Sequence, residues 1–133
     1  MKEVFDTLGR LEPGGAWPRR LARRLGCGCP EEVFSKIRII DLSEHGITFG
    51  VEIGGRLLIG IEPMQGSDPE KERTKIAELL EHGRKVRDRE GNNRFRLVIL
   101  VEDKTPLLND PLPMPDDRVH LHFLSPQALL ELL

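Results

Sequence analysis

The chain has 133 residues, 38% hydrophobic and 32% charged, with 13 glycines and 10 prolines; this balance excludes a disordered or fibrous protein and predicts one compact domain over residues 1–133. Twenty Lys and Arg against 22 Asp and Glu leave a formal charge of -2, so overall charge selects neither nucleic acid nor a cationic partner. No stretch approaches the roughly 18 apolar residues of a membrane-spanning helix, and Glu3 and Asp6 interrupt the amino terminus before any apolar signal core develops, so a soluble, cytoplasmic protein with no membrane partner is expected.

Residues 3–11 place Val4, Phe5 and Leu8 on one side of a short helix, which Gly14-Gly15 breaks. Pro18 suits the first position of the next helix, where its missing N–H would have been unpaired in any case. Leu21 and Leu25 then share a face among Arg19, Arg20, Arg23 and Arg24, an amphipathic helix over about 18–25 that Gly26 stops. Cys27 and Cys29, the only cysteines, are separated by Gly28 alone. A bridge between them would be a tight local ring, so reduced thiols are expected.

After Pro30 the period changes to two. Residues 36–42 read as an isoleucine-rich strand, 43–46 as a turn, and 47–53 as a second strand with Ile47, Phe49, Val51 and Ile53 alternating against Thr48, Gly50 and Glu52. Gly54-Gly55 joins it to a third strand, 56–61, because both glycines reach positive φ at little cost. That strand is apolar on both faces, which places it centrally. Asp68-Pro69, or Ser67 with Glu70 as a capping box, opens a helix to about Glu90. Ile76, Leu79, Leu80 and Val86 form its buried stripe. Gly83 lies on the same stripe, where close approach to the sheet would offset a propensity cost of about 1 kcal/mol. Glu81 and Lys85 are spaced as a solvent-facing ion pair.

Gly91-Asn92-Asn93 ends that helix, and a strand over 95–101 follows, again apolar on both faces. Pro106, Pro111, Pro113 and Pro115 make 104–117 a long irregular connection. Residues 119–124 form the last strand, with His120 and His122 on one face as a solvent-facing pair. Ser125 then caps a terminal leucine-rich helix that starts at Pro126.

The element order predicts an α/β domain with a mixed sheet: helix, three-strand antiparallel meander, long helix, two further strands and a carboxyl-terminal helix. With Leu57-Leu58-Ile59-Gly60-Ile61-Glu62, the charged helix after Ser67-Asp68-Pro69 and the closing segment from His122 through Ser125-Pro126 to Leu133, residues 18–133 resemble the PD-(D/E)xK nuclease superfamily, the restriction-endonuclease-like proteins. The resemblance implies an acid on the second strand and, ending the third, an acid, one residue and a lysine. Glu62 matches that acid, Pro63 the spacer, and Met64 stands in the lysine's place. Thr48 or Gly50 occupies the position of the earlier acid, with Glu52 displaced toward the hairpin. Nuclease chemistry needs two carboxylates for a Mg ion and a cation near the phosphate, so a working site would have to draw on Glu52, Glu62 and Lys71, or on Gln65. The degenerate motif instead implies a nuclease-like fold without catalysis or cofactor, acting by binding. Glu62 is then an exposed end-of-strand carboxylate, and Met64 fills an apolar gap beneath the long helix. The order α-βββ-α-ββ-α also resembles small dimeric chaperones of the type III secretion class, whose sheet would be covered on one side only; the doubly apolar strands favour cover on both.

Arg19, Arg20, Arg23 and Arg24 are the densest charge cluster and the candidate nucleic-acid-binding residues. Residues 1–30 carry a net +3 and residues 99–133 a net -4, an asymmetry that could orient the arginines toward phosphate or pair two copies in a homodimer. Little aromatic interleaving accompanies them beyond Trp17. No metal site is expected: zinc needs about four ligands, and His45, His82, His120 and His122 stand at no recognised spacing from Cys27 and Cys29. Phosphate-loop, nucleophile-elbow and calcium-loop patterns are absent.

Overall fold

The computed structural model describes residues 2–12 and 14–133. Two helices, α1 (Lys2–Arg10) and α2 (Trp17–Arg24), precede a three-strand meander of β1 (Ile37–Ile40), β2 (Phe49–Ile53) and β3 (Leu57–Pro63). The long helix α3 (Pro69–Glu90) leads to β4 (Arg94–Leu100), and the proline-rich connection leads to β5 (Val119–Leu124) and α4 (Pro126–Leu130). The five strands form one sheet in the order β1-β2-β3-β4-β5. The first three pair antiparallel, whereas β3 with β4 and β4 with β5 pair parallel. The mixed sheet and element order expected from the sequence are thus present, with the first two strands shorter by two or three residues.

Local chemistry accounts for most boundaries. Gly54 and Gly55 both take positive φ, 63° and 67°, in the two-residue β2–β3 turn. The Asp68 side chain accepts from the Lys71 N–H and Pro69 takes the first helical position, so α3 starts where its cap is strongest. Ser125 repeats the device for α4, accepting from Ala128 N–H.

Both faces of the sheet are covered, so the one-sided arrangement of the chaperone-like alternative is not adopted. On one face Val51, Ile53, Ile59, Ile61, Val98 and Leu100 meet Val4, Leu8, Trp17, Leu21 and Leu129 of α1, α2 and α4. On the other, Leu58, Phe95, Leu97 and Ile99 meet Ile76, Leu79, Leu80 and Val86 of α3. Alternation along β3 and β4 sends successive side chains into the two layers, which is why these strands carry no polar face through their centre. Gly83 lies directly over Phe95: a Cβ built on it would fall 2.0 Å from Phe95 Cε2. Met64 is buried among the α3-side residues, as expected for a gap filler.

Two arginines of α3 hold the proline-rich connection. Arg73 Nη1 donates to the carbonyls of Leu107 and Asp110, at 2.6 Å each. The Arg87 side chain, only 3% exposed, forks onto both carboxylate oxygens of Asp116 at 2.8 and 2.7 Å. Through Arg73, backbone carbonyls that no ladder satisfies find donors. The expected Glu81–Lys85 pair is replaced: Arg84, on the same face and one residue nearer, donates from Nε and Nη2 to the Glu81 carboxylate and from Nη1 to Asp88.

Gly83→Ala should lower stability by about 1–3 kcal/mol in urea denaturation, because overpacking against Phe95 outweighs the roughly 1 kcal/mol gained in helix propensity; a more stable variant would show that α3 does not sit this close. The Arg87 fork, with smaller help from the Arg118 N–H, holds the Asp116 carboxyl well below its usual range. A depressed carboxyl contributes its stability above the unfolded value, near 3.9, and loses it as pH falls toward the folded value. Asp116→Asn should therefore lower the thermal midpoint at pH 7, with the gap to the parent protein narrowing progressively below about pH 4; a gap independent of pH would refute the linkage.

Candidate functional site

Glu62 stands near the carboxyl end of β3. The β2–β3 register, Phe49 opposite Ile61, brings Thr48 across from it. The Thr48 N–H and hydroxyl both donate to Glu62 Oε1, at 2.8 and 2.6 Å, and the Lys75 ammonium donates to Oε2 at 3.0 Å. Glu62 is 5% exposed, which corrects the expectation of an exposed end-of-strand carboxylate: α3 runs back over this strand end and roofs it. Three donors, one of them cationic, compensate a carboxylate removed from water.

Glu52 serves a different network. Arg38 Nε donates to it at 2.8 Å and Asn92 Nδ2 at 3.1 Å, while Arg38 Nη2 also reaches Glu90 at 3.2 Å. The Arg38 hydrogen bond foremost, with Asn92 assisting, holds the Glu52 carboxyl below its usual range against the opposing effect of burial. Glu52 opposes Leu58, four residues back along β3 from Glu62, so the two carboxylates project from the same sheet face roughly 13 Å apart at about 3.3 Å per residue. They do not converge on one ion.

Lys71 is also not at Glu62; its N–H completes the α3 cap and its side chain is exposed. Gln65 lies on the exposed turn after β3, with its N–H given to Glu72. The cation at Glu62 is Lys75, one helical turn beyond Lys71 and adjacent to Ile76 of the buried stripe. That adjacency to the inward face is the sequence signal that marks it. With one carboxylate, already met by an ammonium, the residues at Glu62 do not fit a Mg ion. No group of three or more His, Cys, Asp or Glu placed to hold a metal occurs among the described residues.

The α2 arginines are mostly engaged within the chain. Arg19 pairs with Glu31 at 2.9 Å and lies over the Phe34 ring, 5.3 Å from its centroid. Arg23 pairs with the other oxygen of Glu31. Arg20 donates to the carbonyls of Leu132 and Leu133, at 2.7 and 3.0 Å. Arg24 is exposed and makes no ion pair or side-chain hydrogen bond to the other described residues.

Two further expectations are corrected. Cys27 and Cys29 are joined as a disulfide with Cα atoms 5.5 Å apart, a separation within the ordinary span of such bonds. His120 and His122 share a face as predicted, but each is half-buried and takes an arginine as partner, Arg94 and Arg96 respectively, both at 3.0 Å.

Glu62→Ala should cost about 1–3 kcal/mol in urea denaturation, since it strands the Thr48 N–H and hydroxyl. Lys75→Ala, removing a half-exposed partner, should cost less than about 1 kcal/mol. The reverse ranking would mean that Lys75 rather than Thr48 holds the carboxylate.

Comparison of the chain with known protein families, with curated proteins and with solved structures finds no match.

Proposed function

We propose that the chain is a restriction-endonuclease-like domain that acts by binding, its cleavage chemistry replaced by an internal ion pair. One observation carries this reading: at the strand end where the resemblance requires two carboxylates and a lysine, a lone Glu62 is held by Thr48 and Lys75, while Glu52 is engaged by Arg38 and Asn92 at the other end of the strand pair. The antiparallel meander followed by a parallel return through α3 supports the fold part of the reading. The α2 helix supplies the surface: Arg24 has no side-chain partner among the described residues, and Arg23 can exchange its exposed pairing with Glu31 for phosphate.

Lys75 also motivates a second reading, a metal-dependent nuclease with a rearranged site, because it brings a cation to Glu62 from the helix instead of the strand; that reading requires Lys75 to release Glu62 and a second carboxylate to join it. The two readings part on one experiment. A panel of labelled DNA and RNA substrates incubated with Mg or Mn should remain uncut. Retention of the same panel on filters should weaken on Arg23→Gln and Arg24→Gln, with a shallower salt dependence. Metal-dependent cleavage that disappears in both Glu62→Ala and Lys75→Ala would establish the second reading and overturn the first.

A further inference from the structure

A cleft of about 430 Å³ opens at the amino ends of β3 and β4, the end of the sheet remote from Glu62. The disulfide loop of Cys27 to Pro30 forms one wall, and Arg56, Arg94, Arg96 and His120 form the other. Three guanidinium groups line it and, among the described residues, no carboxylate does. Strand alternation explains the arrangement. Even-numbered residues of β4 face α2, so Arg94 and Arg96 precede the apolar Val98 and Leu100 on that face, and the parallel register sets His120 beside Arg96 and His122 beside Val98.

The histidines steady the arginines without neutralising them. Arg94 Nη1 donates to His120 Nε2 and Arg96 Nη1 to His122 Nε2. Since a guanidinium has only donors, each ring nitrogen must accept, and both rings are neutral. Burial first, then the charge of Arg96, pulls His122 down to about 4, and burial with the same arginines lowers His120. Asp116 and Asp117, the carboxylates that act on His120, lie on the turn before β5, and Asp116 is held by Arg87. Arg96 has an internal role, since it donates to the Leu25 carbonyl at 2.9 Å, at the carboxyl end of α2 where a cation is favoured. Its Nε is buried without a partner. The remaining guanidinium donors of Arg94 and all the guanidinium donors of Arg56 have no acceptor among the described residues. Burial first, and the charge of the neighbouring Arg94 second, depress the proton affinity of Arg96.

We propose that this cleft binds a small phosphate monoester, its phosphoryl group held between Arg56 and Arg94 with Arg96 behind them. A dianion answers three clustered positive charges better than a carboxylate or a singly charged phosphodiester, and guanidinium forks match phosphoryl oxygens two at a time. The volume is that of a small-molecule site. The cleft lies at the opposite end of the parallel strands from Glu62 and is lined by none of Arg19, Arg20, Arg23 and Arg24, so the assignment does not rest on nucleic acid binding at α2.

Calorimetric titration of the intact protein at fixed ionic strength, with inorganic phosphate, glycerol phosphate, adenosine monophosphate, acetate and an oligonucleotide lacking terminal phosphate, tests the assignment. The phosphate monoesters should bind saturably, at least tenfold tighter than acetate or the oligonucleotide, and should raise the thermal midpoint in proportion to the logarithm of their concentration. Arg56→Gln, at an exposed position outside the core, and Arg94→Gln should each weaken binding at least tenfold, while Arg89→Gln on the outer face of α3 should bind as the parent does. A stronger response to inorganic phosphate than to either ester would reassign the cleft to the free ion and overturn the monoester. Equal affinity for acetate or the oligonucleotide, or unchanged binding in Arg56→Gln, would overturn the site itself.

Discussion

The contact of Gly83 with the Phe95 ring sets the spacing on which the α3 side of the molecule is built. A helix usually stands off a sheet by the length of its side chains; here a missing Cβ lets the ring of a fully buried Phe95 lie against the helix backbone. With α3 drawn down at this point, Ile76, Leu79 and Leu80 reach Leu58, Leu97 and Ile99. The same placement aligns the polar fringe of the helix. Lys75 arrives over the end of β3, Glu90 arrives beside Arg38 at the end of β1, and Arg73 and Arg87 reach the connection before β5.

The buried carboxylates of the sheet are divided here between two distant networks. Glu52 ties the meander to the carboxyl end of α3 through Arg38 and Asn92, and Glu62 ties the start of β2 to the helix near its amino end. Each is a crosslink between elements far apart in sequence. A buried carboxylate with satisfied partners need not add stability over an apolar residue of the same size, but leaving it half-satisfied is costly. Such groups discriminate against misregistered strands, because a slip of one residue would turn Glu62 away from Thr48 and into the apolar layer beneath α1 and α2.

Much of the architecture was legible because its signals are local. Asp68-Pro69 opens α3, Gly54-Gly55 turns β2 into β3, and the doubly apolar runs at Leu57 and Leu97 require cover on both faces; each follows from a few adjacent residues. What could not be read depended on residues brought together from afar. Whether β4 joins β3 in parallel is decided by how α3 crosses the sheet. The burial of Glu62 follows from a roof supplied by that helix, and the choice of Lys75 over Lys71, hinted at in the sequence only by the neighbouring Ile76, is fixed by where the turns of α3 fall once Gly83 is seated on Phe95. The arginines of α2 looked like a free cationic stripe since their acceptors are Glu31 and carbonyls at Leu132 and Leu133, more than a hundred residues away for Arg20. The cleft arginines escaped notice for a related reason: α3 separates Arg56 in sequence from Arg94 and Arg96, and the three become neighbours only in the parallel register.

The two-residue glycine turn has a kinetic meaning that its geometry alone does not convey. The β2–β3 ladder closes around Gly54-Gly55 with almost no loop to order, whereas partners in β3 and β4 lie 37 residues apart. Loop closure must be met before distant contacts reward it. The chain is therefore divided into an early half, where a hairpin can assemble on its own information, and a late half, where the parallel strands wait for α3 to form and dock. Substitutions at the turn would act chiefly on the rate of folding, and those in β5 chiefly on the rate at which the finished protein comes apart.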